Sequence, residues 1–265
     1  MSSSIRASRG YVDTVDGQLH FRSWGDSTSK PDLYLLHPAP YSGLAWHTIA
    51  PLLADDRRVI APDFPGYGGS DAGSGGSTID TYCEAVRAVA TALSTGPVDI
   101  VGFHSGCLVA AEWGRVAPDS IAALVLLDVP AFDAETRVRL LDQTAPITLS
   151  ASLDSLQDDW AMAVTRRHEH EGLARSVSMF AEMLRAGAGR NDCFRAAFSY
   201  PVEQRLASIS RPVTVVMTGS TLLEPSRRAV SLLSDVRSIE LPEIATSVLD
   251  ANAEKIAATL LDYLS

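Results

Sequence analysis

Six short apolar runs punctuate the chain, at residues 33–36, 58–61, 98–101, 122–127, 213–217 and 236–241, and helical patterns separate most of them. A run of four to six apolar residues bounded by turn residues suits a strand buried on both faces, as parallel strands are. Strand alternating with helix implies right-handed crossovers and a mainly parallel central sheet with helices on both faces, an α/β class. Residues 79–95 and 107–117 are the clearest crossover helices, and 250–264 is expected to close the chain, with Ile256, Leu260, Leu261 and Leu264 on one face. Before the first run, residues 10–24 alternate apolar and polar side chains around Asp16-Gly17, which suits an entry hairpin.

Between residues 130 and 201 the strand signals stop, and four helical patterns carry Trp160, Met162, Met179, Phe180, Met183, Phe194 and Phe198. This reads as an inserted helical cap on a core of residues 1–129 and 202–265, within a single domain of 265 residues. Aromatics and methionines at helical spacing are first of all packing. The underside of a cap nevertheless faces the strand ends, where open α/β sheets place ligands, so Trp160, Met179 and Met183 are candidate substrate contacts. The Gly/Ser-rich stretch 72–77 is read as a surface loop.

Charge narrows the partners. Thirty-two acidic residues against 22 basic ones leave a net charge of -10, which repels a phosphate backbone and argues against nucleic acid. The polar start MSSSIRASRG lacks the apolar segment of a signal peptide, and no later run is long enough for a bilayer, so no membrane association and a cytoplasmic location are expected. Cys83, Cys107 and Cys193 are scattered and odd in number, which suggests neither disulfides nor a zinc site.

Three stretches in order carry a family resemblance: Leu35-Leu36-His37-Pro38-Ala39-Pro40, Asp63-Phe64-Pro65-Gly66-Tyr67-Gly68-Gly69-Ser70, and Gly102-Phe103-His104-Ser105-Gly106. Together they resemble the α/β-hydrolase fold superfamily across nearly the whole chain, and the third looks like its nucleophile elbow, G-x-S-x-G. Centring that turn on Ser105 would put Phe103 and Cys107 where backbones touch; centring it on His104 puts Gly102 and Gly106 there. The resemblance therefore places His104 where the family has its serine. The family's acid after the fifth of these runs and its histidine after the last are also missing: Thr218-Gly219-Ser220-Thr221-Leu222 and Glu243-Ile244-Ala245-Thr246-Ser247 supply neither. A serine without an adjacent base is a poor nucleophile, so ordinary serine-esterase chemistry is not expected.

What the resemblance leaves is an oxyanion hole built from the backbone N–H groups of Ala39 and Ser105, and an acid, Asp128, at an alternative strand end where it would orient His104. An imidazole at a helix N-terminus is favoured in its neutral form, which suits a general base. The competing reading, a relic of a lost site, fits less well, because random loss at a strained tip favours a small residue. Ser105 is a candidate reacting hydroxyl or simply a local cap, and Asp128 an orienting acid or an acceptor of backbone hydrogen bonds. His37, Pro38, Tyr41 and Phe103 are candidate pocket residues, with His37 also suited to bracing its loop and Trp46 to packing. His168 and His170 lie in a polar His-Glu-His-Glu run read as a solvated helix face, and no metal or other cofactor is expected.

The expected function is cofactor-independent acid/base chemistry, the making, breaking or rearranging of C–C or C–O bonds, on an apolar oxygenated small molecule, by analogy with family members that tailor natural products. Two alternatives stand beside it. His104 would activate water against an activated ester, lactone or thioester, or the chain would bind a ligand without turning it over.

Overall fold

The computed structural model describes residues 5–265; the first four residues of the polar start lie outside the described residues. Eight strands form one sheet in the order β1-β2-β4-β3-β5-β6-β7-β8. β1 (Ser8–Thr14) and β2 (Gly17–Trp24) are an antiparallel hairpin, and β2 pairs antiparallel with β4 (Val59–Pro62). From there β3 (Leu33–Leu36), β5 (Val98–Phe103), β6 (Ile121–Leu127), β7 (Val213–Thr218) and β8 (Val236–Leu241) run parallel.

β3, β4 and β5 are buried at every position, as uninterrupted apolar runs require. β8 departs from that reading: it is the edge strand, none of its residues is fully buried, and Arg237, Ser238 and Glu240 face solvent. The hairpin turn is also one residue earlier than Asp16-Gly17 suggests, because Gly17 already pairs with Thr14. Gly17 holds φ +118° where a Cβ would stand 2.8 Å from the Asp71 side chain, so this glycine serves a close approach as well as the turn.

Helices cover both faces. α1 (Ile79–Leu93) and α2 (Ser105–Val116) pack on one side with Tyr82, Val86, Leu108, Val109 and Trp113 in the larger core. α1 is opened by a capping box in which Thr78 and Thr81 each accept the other's backbone N–H, an arrangement worth about 1 kcal/mol. On the other side Trp46, Ile49 and Leu53 meet Ile256, Ala257 and Leu260 of α10 (Ala253–Leu261).

Between β6 and β7 run α3 (Ala134–Gln143), α4 (Asp154–Trp160), the single turn α5 (His168–Glu171), α6 (Leu173–Arg185), α7 (Asp192–Ser199) and α8 (Val202–Ala207). α4 continues into a π-helical turn, Ala161–Thr165, which inserts an extra residue per turn and rotates the segment after it. α9 (Leu223–Leu232) connects β7 to β8. No helix of the described residues is long and apolar enough to cross a membrane, and Cys83, Cys107 and Cys193 are all free and buried.

Candidate active site at the carboxyl ends of the central strands

β3, β5 and β6 deliver three loops to one end of the sheet, carrying residues 37–41, His104 and Asp128. His104 stands between β5 and α2 with φ +51° and ψ -120°, a conformation costly for any residue with a Cβ. Its neighbours show what holds it there. A Cβ on Gly102 would lie 2.5 Å from the Gly106 carbonyl oxygen, and one on Gly106 would lie 2.2 Å from that of Leu36. Strand, turn and helix are thus in backbone contact around His104, and only glycine fits on either side.

Asp128 is the counterpart on β6, also at positive φ, +56°, and fully buried. Its carboxylate accepts hydrogen bonds from Thr218 N (2.7 Å), Thr218 Oγ1 (2.6 Å) and Ser220 Oγ (3.2 Å). Burial raises its pKa, and the Thr218 and Ser220 donors oppose that rise. Oδ2 lies 4.0 Å from His104 Nε2, too long for a hydrogen bond and close enough for charge to be felt.

The imidazole keeps 39% of its surface accessible, yet it is crowded by protein, and the Phe103 ring packs on it with centroids 4.0 Å apart. Loss of solvation, and after it the charge of Arg167, push its pKa down to about 4. Both effects favour the neutral ring.

Other candidates fall in different places. Ser105 lies in the first turn of α2, is 4% exposed, and its Oγ accepts the Ala39 N–H at 2.7 Å. One of the two backbone donors expected of an oxyanion hole is thus already taken inside the protein. His37 is fully buried: Nδ1 donates to the Pro38 carbonyl (3.1 Å) and Nε2 accepts from Phe64 N–H (2.9 Å), so it braces the loop and presents no free nitrogen to a ligand. Pro38 is likewise buried in that loop.

Phe103 packs against Trp46. Met179 joins the smaller core and Met183 a cluster with Ala163 and Val164, 5% and 2% exposed, as packing residues. Trp160 does not face inward: it is 42% exposed, at the C-terminal end of α4, with its ring edge-on to Phe180.

Tyr41 is close to the elbow, and its hydroxyl accepts from Arg167 Nη1 at 2.9 Å. Sequence reasoning did not single out Arg167. It sits in a polar stretch of the inserted helices, and its one local signal is the i,i+4 spacing to Glu171, which reads equally well as a surface pair.

The sequence pattern of the alpha/beta hydrolase fold matches residues 31–186, more than half of the chain, and the protein belongs to that family. Among curated relatives, a serine hydrolase-like protein of Danio rerio is 36% identical over 118 residues, 44% of this chain and 36% of the relative. Lipase LipV of Mycobacterium tuberculosis is 34% identical over 121 residues, 46% of this chain and 45% of that protein. The matched region thus spans less than half of either relative. Epoxide hydrolase A of Mycobacterium thermoresistibile superposes with a TM-score of 0.79 over 97% of this chain and 98% of its own, at 20% identity, a likeness of fold.

Proposed function

We propose that this chain is an enzyme in which His104 takes the place of the family's nucleophilic serine and acts as a general base, steadied by the Asp128 carboxylate. The observation that carries the reading is the imidazole held at φ +51° with Nε2 4.0 Å from Asp128 Oδ2. An unprotonated ring is ready to accept a proton, and a buried carboxylate alongside stabilises the imidazolium that results. The nitrogen turned toward Asp128 is Nε2, which leaves Nδ1 to take the proton.

Such a base abstracts a proton from C–H or O–H of a small apolar molecule bearing a carbonyl or hydroxyl, with making, breaking or rearrangement of a C–C or C–O bond and no acyl-enzyme. The Ser105 hydroxyl, polarised by the Ala39 N–H it accepts, is the group we assign to a developing oxyanion, together with the Ser105 backbone N–H. Hydrolysis by His104-activated water is the second reading. The relatives described as a serine hydrolase-like protein and a lipase favour it, whereas the Ala39 N–H committed to Ser105 weighs against a ready tetrahedral-intermediate site.

Two probes separate the readings. With 5-nitrobenzisoxazole a base removes the ring C–H, the N–O bond breaks, and a nitrile and phenolate form without water. Saturable elimination that disappears in His104→Ala, with no labelling of Ser105 by a fluorophosphonate, is the expected result. Rapid nitrophenyl-ester cleavage with Ser105 labelled would show a serine hydrolase instead.

A further inference from the structure

We propose that Arg167 is the recognition group for a carboxylate, or an equally delocalised oxyanion, on the substrate that His104 deprotonates; the inference rests on the base reading and names the substrate class for the same site. Arg167 comes just after the π-helical turn Ala161–Thr165, whose Ala163 and Val164 are buried; Thr165 and Arg166 are exposed, and Arg167 is half-buried, with 38% of its side chain accessible to a ligand from solvent.

The guanidinium is held on two sides. Nε and Nη2 lie 3.0 and 2.9 Å from Glu171 Oε1, whose side chain is 3% exposed, and Nη1 donates to Tyr41 OH. Its centre stands 5.8 Å from the Tyr41 ring centroid, within reach of a cation–π contact. Of the five N–H groups a guanidinium carries, two have no acceptor among the described residues. A planar, immobilised fork with unspent donors is what bidentate carboxylate recognition needs.

Position completes the case. Tyr41 adjoins the Pro38–Pro40 loop, whose Ala39 N–H meets Ser105 beside the elbow, so Arg167 is tethered to the loop that packs against the candidate base's own turn. Among the described residues, Arg167 is also the one cation whose charge registers on the His104 imidazole, in the sense of opposing protonation. A carboxylate bound to Arg167 would offset that charge and add its own, making His104 more basic when the right substrate is present. A neutral molecule would leave the imidazole at its lower basicity, enough only for a C–H as activated as that of 5-nitrobenzisoxazole. Substrate charge and base strength are thereby coupled, and an acid whose C–H or O–H is activated by a neighbouring carbonyl fits both groups.

The test uses benzoate and its neutral isostere benzamide as probes, titrated calorimetrically into wild type, Arg167→Gln, Arg167→Lys and His104→Ala. Wild type is expected to prefer benzoate by at least about tenfold. Arg167→Gln is expected to abolish that preference, Arg167→Lys to keep part of it, since a point charge remains without the fork, and His104→Ala to keep it. Because the readout is a ratio between isosteres, a general loosening of the fold moves both affinities and not their quotient. Equal affinities in wild type, or a benzoate preference undiminished in Arg167→Gln, would overturn the proposal. Benzisoxazole elimination surviving in His104→Ala would instead overturn the base reading while leaving the carboxylate preference in place.

Discussion

His104 Nε2 and Asp128 Oδ2 face each other at 4.0 Å from the ends of adjacent parallel strands, and both residues hold left-handed backbone. Two costly conformations side by side persist only where the surroundings fix them, and the surroundings are the glycine contacts at Gly102 and Gly106 and the donors of Thr218.

Removing the base is expected to remove the chemistry. His104→Ala should lower kcat/KM for benzisoxazole elimination by about 10² to 10⁴, the usual contribution of a positioned base. Asp128→Asn should lower it by roughly ten- to a hundredfold through loss of a charge at 4.0 Å. It should also cost stability, because an amide nitrogen would then oppose one of the two Thr218 donors. Steady-state kinetics and urea denaturation of both variants check this.

Backbone strain at the apex is expected to appear as a difference between two variants that both lack the imidazole. His104→Gly should be more stable than His104→Ala by about 1 to 3 kcal/mol, since glycine alone occupies φ +51°, ψ -120° freely. Thermal melts of the pair measure it.

Ser105 is expected to be a brace and a donor and not a nucleophile. Ser105→Ala should slow benzisoxazole elimination by less than about tenfold and lower stability by about 1 kcal/mol for the lost Ala39 hydrogen bond. Activity assays and denaturation curves are sufficient.

Stability should rise with pH on the acid side. Burial, against the opposing Asp63 charge, pushes His37 down to about 4, whereas in the unfolded chain a histidine titrates near 6.5. Between these values the unfolded state binds a proton that the native state refuses. The native state is therefore penalised progressively as pH falls from about 6.5 to 4, by roughly 2 to 3 kcal/mol for this one group. His37→Gln should flatten that slope in urea denaturation series at pH 4.5, 5.5 and 7.

The architecture was legible because period and glycine spacing are backbone properties: buried parallel strands need unbroken apolar runs, and the contacts at Gly102 and Gly106 exclude any side chain. The run of strands, the hairpin at the entry and the turn at His104 all come from such local rules. The destination of side chains is set by tertiary contacts that no local pattern carries. Nothing in the helical spacing of Trp160 records that its ring stays at the surface against Phe180. His37 and His104 are both imidazoles near the site, and only the Pro38 carbonyl and the Phe64 amide reveal that the first is fully used. Arg167 was invisible for the opposite reason, since its partner Tyr41 is 126 residues away and a local i,i+4 pair with Glu171 accounts for it in sequence.

The tautomer and titration of His104 are read most directly by NMR of the ¹⁵N-histidine-labelled protein, with the resonance assigned by its loss in His104→Ala. The ring is expected to stay neutral down to about pH 4, with the proton on the nitrogen facing Asp128, Nε2. A midpoint near 6.5 would contradict the desolvated imidazole described at the apex, and a proton resident on Nδ1 would contradict the assignment of that nitrogen as the one that accepts the substrate proton.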